Sequence, residues 1–229
     1  MMMYNWIMKG GYNMKYNTIL FDLDGTLTDP AKGITSGVAY ALDSFGDKYE
    51  SLESLELFIG PPLREQFMEF CNVDRDKGEE YVAKYREYYA VTGIYENRVY
   101  DGIEDMLKTL VNSGKRIILA TSKPEKFALI ILEHFKLLKY FDFVAGALMS
   151  NSRTKKDEVI AYALENIGKY DLSTTIMVGD RMHDVEGAAK FGIETIGVTF
   201  GYGSREELEN AGAKIIVDTV EDLKKELLK

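Results

Sequence analysis

Short apolar runs alternate along the chain with stretches whose apolar residues recur every three or four positions. The runs Thr18–Leu23, Arg116–Ala120, Phe143–Ala147, Thr175–Val178, Glu194–Val198 and Lys214–Val217 read as strands, because a strand buried on both faces is a nearly continuous apolar string. Between them, Gly102–Ser113 sets Ile103, Met106, Leu107, Leu110 and Val111 at helical spacing, and Asn112-Ser-Gly closes that helix with Gly114 as a C-terminal cap. The segment from Ala128 to Met149 is interrupted by Glu133, His134, Lys136, Lys139 and Asp142, and reads as a buried helix followed by a strand, with His134 structural. Strand–helix alternation of this kind predicts an α/β fold with a parallel sheet covered on both faces.

One segment breaks the rhythm. From Pro30 to Arg98 only amphipathic helical patterns occur, including Tyr81, Val82, Tyr85, Tyr88 and Tyr89 as an aromatic stripe. Gly60-Pro61-Pro62 predicts a turn or a helix start there. The expected organisation is a helical domain, 30–98, inserted into a core made of 15–29 and 99–229. The stripe is expected to pack that domain's interior.

Composition narrows the function. The 28 Lys and Arg residues against 37 Asp and Glu give a net charge of -9, which would repel a nucleic-acid polymer. A small phosphorylated ligand stays compatible, since a few local cations and a metal reverse the field inside one cleft. Cys71 is the only cysteine and forms no internal disulfide. No apolar run reaches the roughly 18 residues that a membrane span needs, and the first thirteen residues lack the pattern of a signal peptide. The expectation is a cytoplasmic protein whose native start is Met14, residues 1–14 being an N-terminal extension. Oligomeric state is not legible.

Chemistry concentrates at strand ends. Ile19-Leu-Phe-Asp-Leu-Asp-Gly-Thr delivers Asp22 and Asp24 where the first strand leaves the sheet, the place where open parallel sheets bind ligands. Spacing of two on an extended chain points both carboxylates the same way. Gly25 permits close backbone approach, and Thr26 can bond the turn. Thr121 and Ser122 end a second strand, where they suit a phosphate oxygen or simply cap a helix. Lys156 opens a helix near the third strand and could offset phosphate charge, though Lys155 beside it leaves the assignment open. Asp180 and Asp184 follow the fourth strand and offer oxygen to a hard dication, while Asp184 would equally serve as a helix cap. His183 is expected on an exposed loop, not as a ligand.

These four segments, Asp22-Leu-Asp-Gly-Thr-Leu, Thr121-Ser, Lys156 and Gly179-Asp-Arg-Met-His-Asp184, resemble in order the four motifs of the haloacid dehalogenase superfamily. The resemblance implies a Rossmann-like doubly wound parallel sheet core with an inserted all-helical cap domain in the first insertion position. It implies a phosphatase in which Asp22 is the nucleophile and Asp24 the general acid and base. Asp22 and Asp180 by side chain, and Asp24 by its backbone carbonyl, would hold Mg2+. Gly25, Thr26, Thr121, Ser122 and Lys156 would bind the phosphate, and Asp184 would stand behind them, steering Lys156 or a metal-bound water. Asp24 speaks against the dehalogenase branch, which does not need that second carboxylate. In its role it needs a pKa raised from about 3.9, by burial and by Asp22 nearby.

Phe58-Ile-Gly-Pro-Pro-Leu63 and Gly197-Val-Thr-Phe-Gly-Tyr-Gly-Ser204 resemble the phosphoglycolate phosphatase and bacterial 5'-nucleotidase-like branch, the Gly-Pro-Pro-Leu turn favouring the nucleotidase side. The implied substrate is a small phosphorylated metabolite, with no membrane partner. Arg64, after the turn, either reaches a substrate anion or forms a surface ion pair. Two alternatives share the chemistry: a sugar-phosphate mutase of the same superfamily and a phosphorylation-dependent receiver module. The receiver carries its acceptor aspartate on a middle strand, which here ends in Thr121-Ser. Cap and core are expected to hinge near Asp29-Pro30 and Arg98-Asp101.

Overall fold

The computed structural model describes residues 15–150 and 153–229; the expected N-terminal extension and the start at Met14 lie outside the described residues. Six parallel strands form the main sheet: β1 (Thr18–Phe21), β4 (Arg116–Pro124), β5 (Phe143–Ala147), β6 (Thr175–Gly179), β7 (Glu194–Val198) and β8 (Ile215–Val217). Their order across the sheet is β5-β4-β1-β6-β7-β8. All six expected strands are present, with ends shifted by a few residues at most.

The side chains of these strands alternate between two cores. Ile19, Phe21, Ile117, Leu119, Ile176 and Val178 face one cluster, while Leu20, Ile118, Ala120 and Met177 face the other. That period of two explains why the strands read as unbroken apolar strings, since both faces are covered. The first face carries α4 (Ile103–Asn112), α5 (Glu125–His134) and α9 (Val220–Leu227); the second carries α6 (Lys156–Asn166) and α7 (Met182–Ala189). A short helix α8 (Arg205–Ala211) links β7 to β8. Each fully buried Leu, Ile or Val contributes about 1.5–3 kcal/mol, so the sheet centre, where β1 and β6 are wholly buried, is the rigid part of the molecule.

Between β2 (Thr28–Asp29) and β3 (Arg98–Val99) every element is helical: α1 (Ala31–Phe45), α2 (Leu63–Cys71), α3 (Arg75–Tyr89) and short 3-10 turns at Glu53–Phe58 and Gly93–Tyr95. This is the expected helical cap. Its core is aromatic, with Phe58 on Phe67 at 4.9 Å, Phe67 on Tyr81 at 5.2 Å and Phe45 on Tyr81 at 4.4 Å between ring centres. Pro62 caps α2, as the Gly-Pro-Pro signal predicts.

β2 and β3 carry no signal in the sequence. They pair antiparallel, Thr28 with Val99 and Asp29 with Arg98, and so zip together the two places where the chain crosses between core and cap.

Candidate active site

β1 lies between β4 and β6 in register, Phe21 opposite both Leu119 and Val178. β1 and β6 therefore end at one level, where β4 runs on through Thr121 to Pro124, and the amide of Asp22 still donates to the Val178 carbonyl at 2.9 Å. This register, at the point where strand order reverses, brings Asp22, Thr121 and Asp180 together from distant parts of the sequence. The first residues of α6 and α7 add Lys156 and Asp184.

Lys156 is the hub. Its Nζ lies 2.8 Å from Asp22 Oδ1 and 2.7 Å from Asp184 Oδ1, and donates to the Ala120 carbonyl at 3.0 Å. Lys156 is 5% exposed, whereas Lys155 is exposed. Burial alone would push the Lys156 pKa down; the Asp184 and Asp22 carboxylates outweigh it and hold it above the usual lysine value. The ammonium is a fixed cation at any working pH.

Asp22, Asp180 and Asp184 place carboxylate oxygens within 4.8 Å of one another. Burial, with Asp184 and Asp22 nearby, pushes the Asp180 carboxyl well up. Burial likewise pushes Asp184 to about 6, although Lys156 opposes it. Three buried carboxylates beside one ammonium leave negative charge uncompensated, and an all-oxygen donor set suits a hard divalent cation such as Mg2+. The site fits the ion that the sequence implies.

Asp180 is gripped from all sides. Thr26 Oγ1 donates to its Oδ1 at 3.3 Å and the Tyr202 amide to its Oδ2 at 2.8 Å. Gly25, at φ 82°, packs so closely that a Cβ there would stand 2.1 Å from Asp180 Oδ2. The amides of Gly25 and Thr26 bond back within the turn, to Thr28 and Leu23. Both residues thus brace the carboxylate cluster.

Asp24 stands apart from the cluster. Lys123 Nζ holds its Oδ2 at 2.5 Å, while Oδ1 is buried with no hydrogen-bond partner among the described residues. Burial raises the Asp24 pKa above the ordinary carboxyl value, and Lys123 limits the rise. Lys123 was not singled out from the sequence: a lysine after Thr-Ser reads as solvated, yet it is 8% exposed. Its amide donates to Thr121 Oγ1 at 3.2 Å, which orients that hydroxyl.

A cleft of about 1020 Å³, including its open mouth, runs from Asp22, Asp24, Thr121 and Ser122 up to the cap. Ile34, Phe58, Val82, Tyr85, Tyr89 and Phe127 form its apolar wall. The tyrosine stripe therefore does more than fill the cap: Tyr81 packs inward, while Tyr85 and Tyr89 face the cleft. Tyr89 meets Phe127 edge-on across the two parts at 5.6 Å. Arg64 lines the cleft, but its guanidinium is committed to Glu65 at 2.5 Å and Glu79 at 2.8 Å. Arg86 lines the same cleft. His183 corrects an expectation: it sits in the first turn of α7, half-buried, in a side cavity with Ser122, Thr154 and Lys155. Helix α7 starts directly at the loop that holds Asp180, which leaves no room for an exposed turn there. His134 ends α5 with its ring 5.2 Å from that of Tyr95.

This is the site of a hydrolase built around an acidic pair, a buried lysine and a carboxylate cluster. The family model for haloacid dehalogenase-like hydrolases matches residues 19–198, and the chain belongs to that family, on its phosphatase side. A 5'-nucleotidase of Pseudomonas aeruginosa is 46% identical over 195 residues, covering 85% of this chain and 88% of that one. A protein of Mycobacterium tuberculosis named tyrosine-protein kinase PtkA is 36% identical, over 91% of this chain and 72% of its own. The crystal structure of a predicted phosphatase from Clostridium acetobutylicum superposes with a TM-score of 0.90 at 48% identity, over 93% of this chain and 98% of that one. No helix among the described residues is long and apolar enough to cross a membrane.

Proposed function

We propose that the protein is a Mg2+-dependent phosphatase that hydrolyses a small phosphate monoester through a phospho-aspartyl intermediate on Asp22. The observation that carries this reading is Lys156, buried and within 2.8 Å of Asp22 and 2.7 Å of Asp184, beside an all-carboxylate cluster and opposite Asp24.

Asp22 attacks phosphorus with one carboxylate oxygen as the P–O bond to the leaving group breaks. Lys156, the Thr121 hydroxyl and Ser122 take the phosphoryl oxygens, placing them in line with Asp22. The free Oδ1 of Asp24 gives its proton to the departing alkoxide. The same oxygen then removes a proton from the water that attacks the phospho-aspartate, which restores Asp22 and releases phosphate. Asp22 and Asp180 by side chain, Asp24 by its carbonyl and Asp184 from behind would hold Mg2+, which supplies positive charge against the phosphoryl group.

Residues 30–98 act as the cap over a core of 15–29 and 99–229, and the cap wall selects the substrate. A wall of Phe58, Tyr85, Tyr89 and Phe127 suits a flat, partly apolar leaving group, and Arg64 is already paired with two glutamates. Together with the 46% identical 5'-nucleotidase, this favours a nucleoside monophosphate. A panel of nucleoside monophosphates, phosphoglycolate, sugar phosphates and a phosphotyrosine peptide, assayed for phosphate release with Mg2+ and with chelator, tests the reading. Nucleoside monophosphates should lead with Mg2+ and fall to background with chelator; phosphoglycolate leading, or activity surviving chelation, would reject it.

A further inference from the structure

Gly201-Tyr202-Gly203 follows β7 and lies against Asp180 with no slack. A Cβ on Gly201 would come within 2.5 Å of Asp180 Cβ, and one on Gly203 within 1.8 Å of the Asp180 carbonyl oxygen. Only bare backbone fits on both sides of Tyr202. The Tyr202 amide holds Asp180 Oδ2 at 2.8 Å. At its other end the Tyr202 hydroxyl donates to Asp29 Oδ1, which also accepts from the Ala31 amide at 3.1 Å. Asp29 Oδ2 in turn accepts from Arg98 Nε at 2.9 Å and Nη2 at 2.8 Å. Asp29 and Arg98 are the paired residues of β2 and β3, the two crossings between core and cap. Next to them, Phe200 packs edge-on against Tyr100 at 5.3 Å, so the same loop touches both crossings.

We infer that Tyr202 is a positioning residue that couples the Asp180 side of the carboxylate cluster to the Asp29–Arg98 strap. A charge arriving among the carboxylates pulls on Asp180 Oδ2, the amide that holds it, and a side chain whose far end is bonded to the crossing. Because the glycines leave no clearance, that displacement is transmitted to the strap and not absorbed by the loop. Occupancy of the cluster thus biases the position of the cap. Nothing in the hydrolytic steps requires the Tyr202 hydroxyl, which is bonded to Asp29 at the crossing.

The inference rests on Mg2+ binding at the cluster, and the test separates the two. Mg2+ binding to the full-length protein is measured by calorimetry, and backbone hydrogen exchange is followed with and without Mg2+ over segments 27–33 and 96–101, with α9 as the reference. In the wild type, Mg2+ should slow exchange in both segments by about fivefold or more, the scale of an ordinary coupling between sites. Tyr202→Phe keeps the amide on Asp180 and removes only the hydroxyl. It should still bind Mg2+, while the slowing at the crossings drops to about twofold or less. If Tyr202→Phe does not fold, Arg98→Ala, whose side chain is mostly exposed, cuts the strap one link later and should show the same loss. Slowing equal to wild type in the variant, no slowing in the wild type, or a loss that extends equally to α9 would overturn the coupling. A wild type that binds no Mg2+ would sink the proposed function along with it.

Discussion

Lys123 Nζ lies 2.5 Å from Asp24 Oδ2, in a pair whose side chains are 5% and 13% exposed. The lysine leaves one carboxylate oxygen of Asp24 free and keeps burial from raising its pKa further. Removing one partner of such a pair strands the other charge. Lys123→Met should therefore raise the Asp24 pKa and move the alkaline limb of kcat/KM to higher pH, because the acid form persists longer. The shift should be clear for an alkyl phosphate and small for p-nitrophenyl phosphate, whose leaving group needs no proton. Lys123→Arg should restore part of the wild-type profile; identical profiles for all three proteins would reject the role.

Asp22→Asn keeps the shape of the nucleophile and removes its charge. Turnover should fall by about a thousandfold or more while the folded state persists, since nothing else at this position can carry the phosphoryl group. Steady-state assays with far-ultraviolet circular dichroism check it, and near-normal turnover would refute the assignment.

Stability should depend on pH in a direction fixed by Asp180 and Asp184. Both have folded-state pKa values above the reference, Asp184 reaching about 6. The metal-free fold therefore binds their protons more tightly than the unfolded chain does. The Asp184 contribution is full below about pH 4 and is lost as pH rises through about 6, and Asp180 acts in the same direction. Mg2+ needs these groups ionised, so it should raise Tm more at pH 7.5, where a hundredfold excess over Kd adds about 2.7 kcal/mol of stability, than at pH 5. Thermal scans at the two pH values decide it; an equal or larger Mg2+ effect at pH 5 would contradict the metal site.

Arg64 and Arg86 line the same cleft in different states. Arg64 is held by Glu65 and Glu79, whereas Arg86 has no ion pair among the described residues. Arg64→Ala should leave relative kcat/KM values across a substrate panel within about threefold, since its charge is already matched. Arg86→Ala should lower kcat/KM selectively for substrates with a second anionic group. The reverse pattern would show that substrate displaces the glutamates from Arg64.

The core and much of the site were legible in the sequence for a physical reason. Strands covered on both faces must be continuously apolar, so Asp22, Asp180 and the Thr121-Ser pair stood out as polar residues where apolar runs stop. The rest depended on three-dimensional burial. Lys123 and Lys155 look alike in sequence, and only the approach of β1 to β4 buries the first. The β2–β3 pairing is two residues long, too short for any period to show. The tyrosine stripe carries a helical period that reports a buried face, but a period cannot tell a cap interior from a cleft wall. The glycines at Gly201 and Gly203 carry no periodic signal, and their physical use, close packing on Asp180, depends on the fold.

The central claim is that Asp22 itself becomes phosphorylated. Wild-type enzyme turning over a nucleoside monophosphate with Mg2+ should be acid-quenched within one turnover, digested and sequenced by tandem mass spectrometry. The account predicts a phosphoryl group on Asp22 that is released by hydroxylamine and absent without Mg2+. Product formation at the full rate with Asp22 unmodified, or with the label on Asp24, would contradict it.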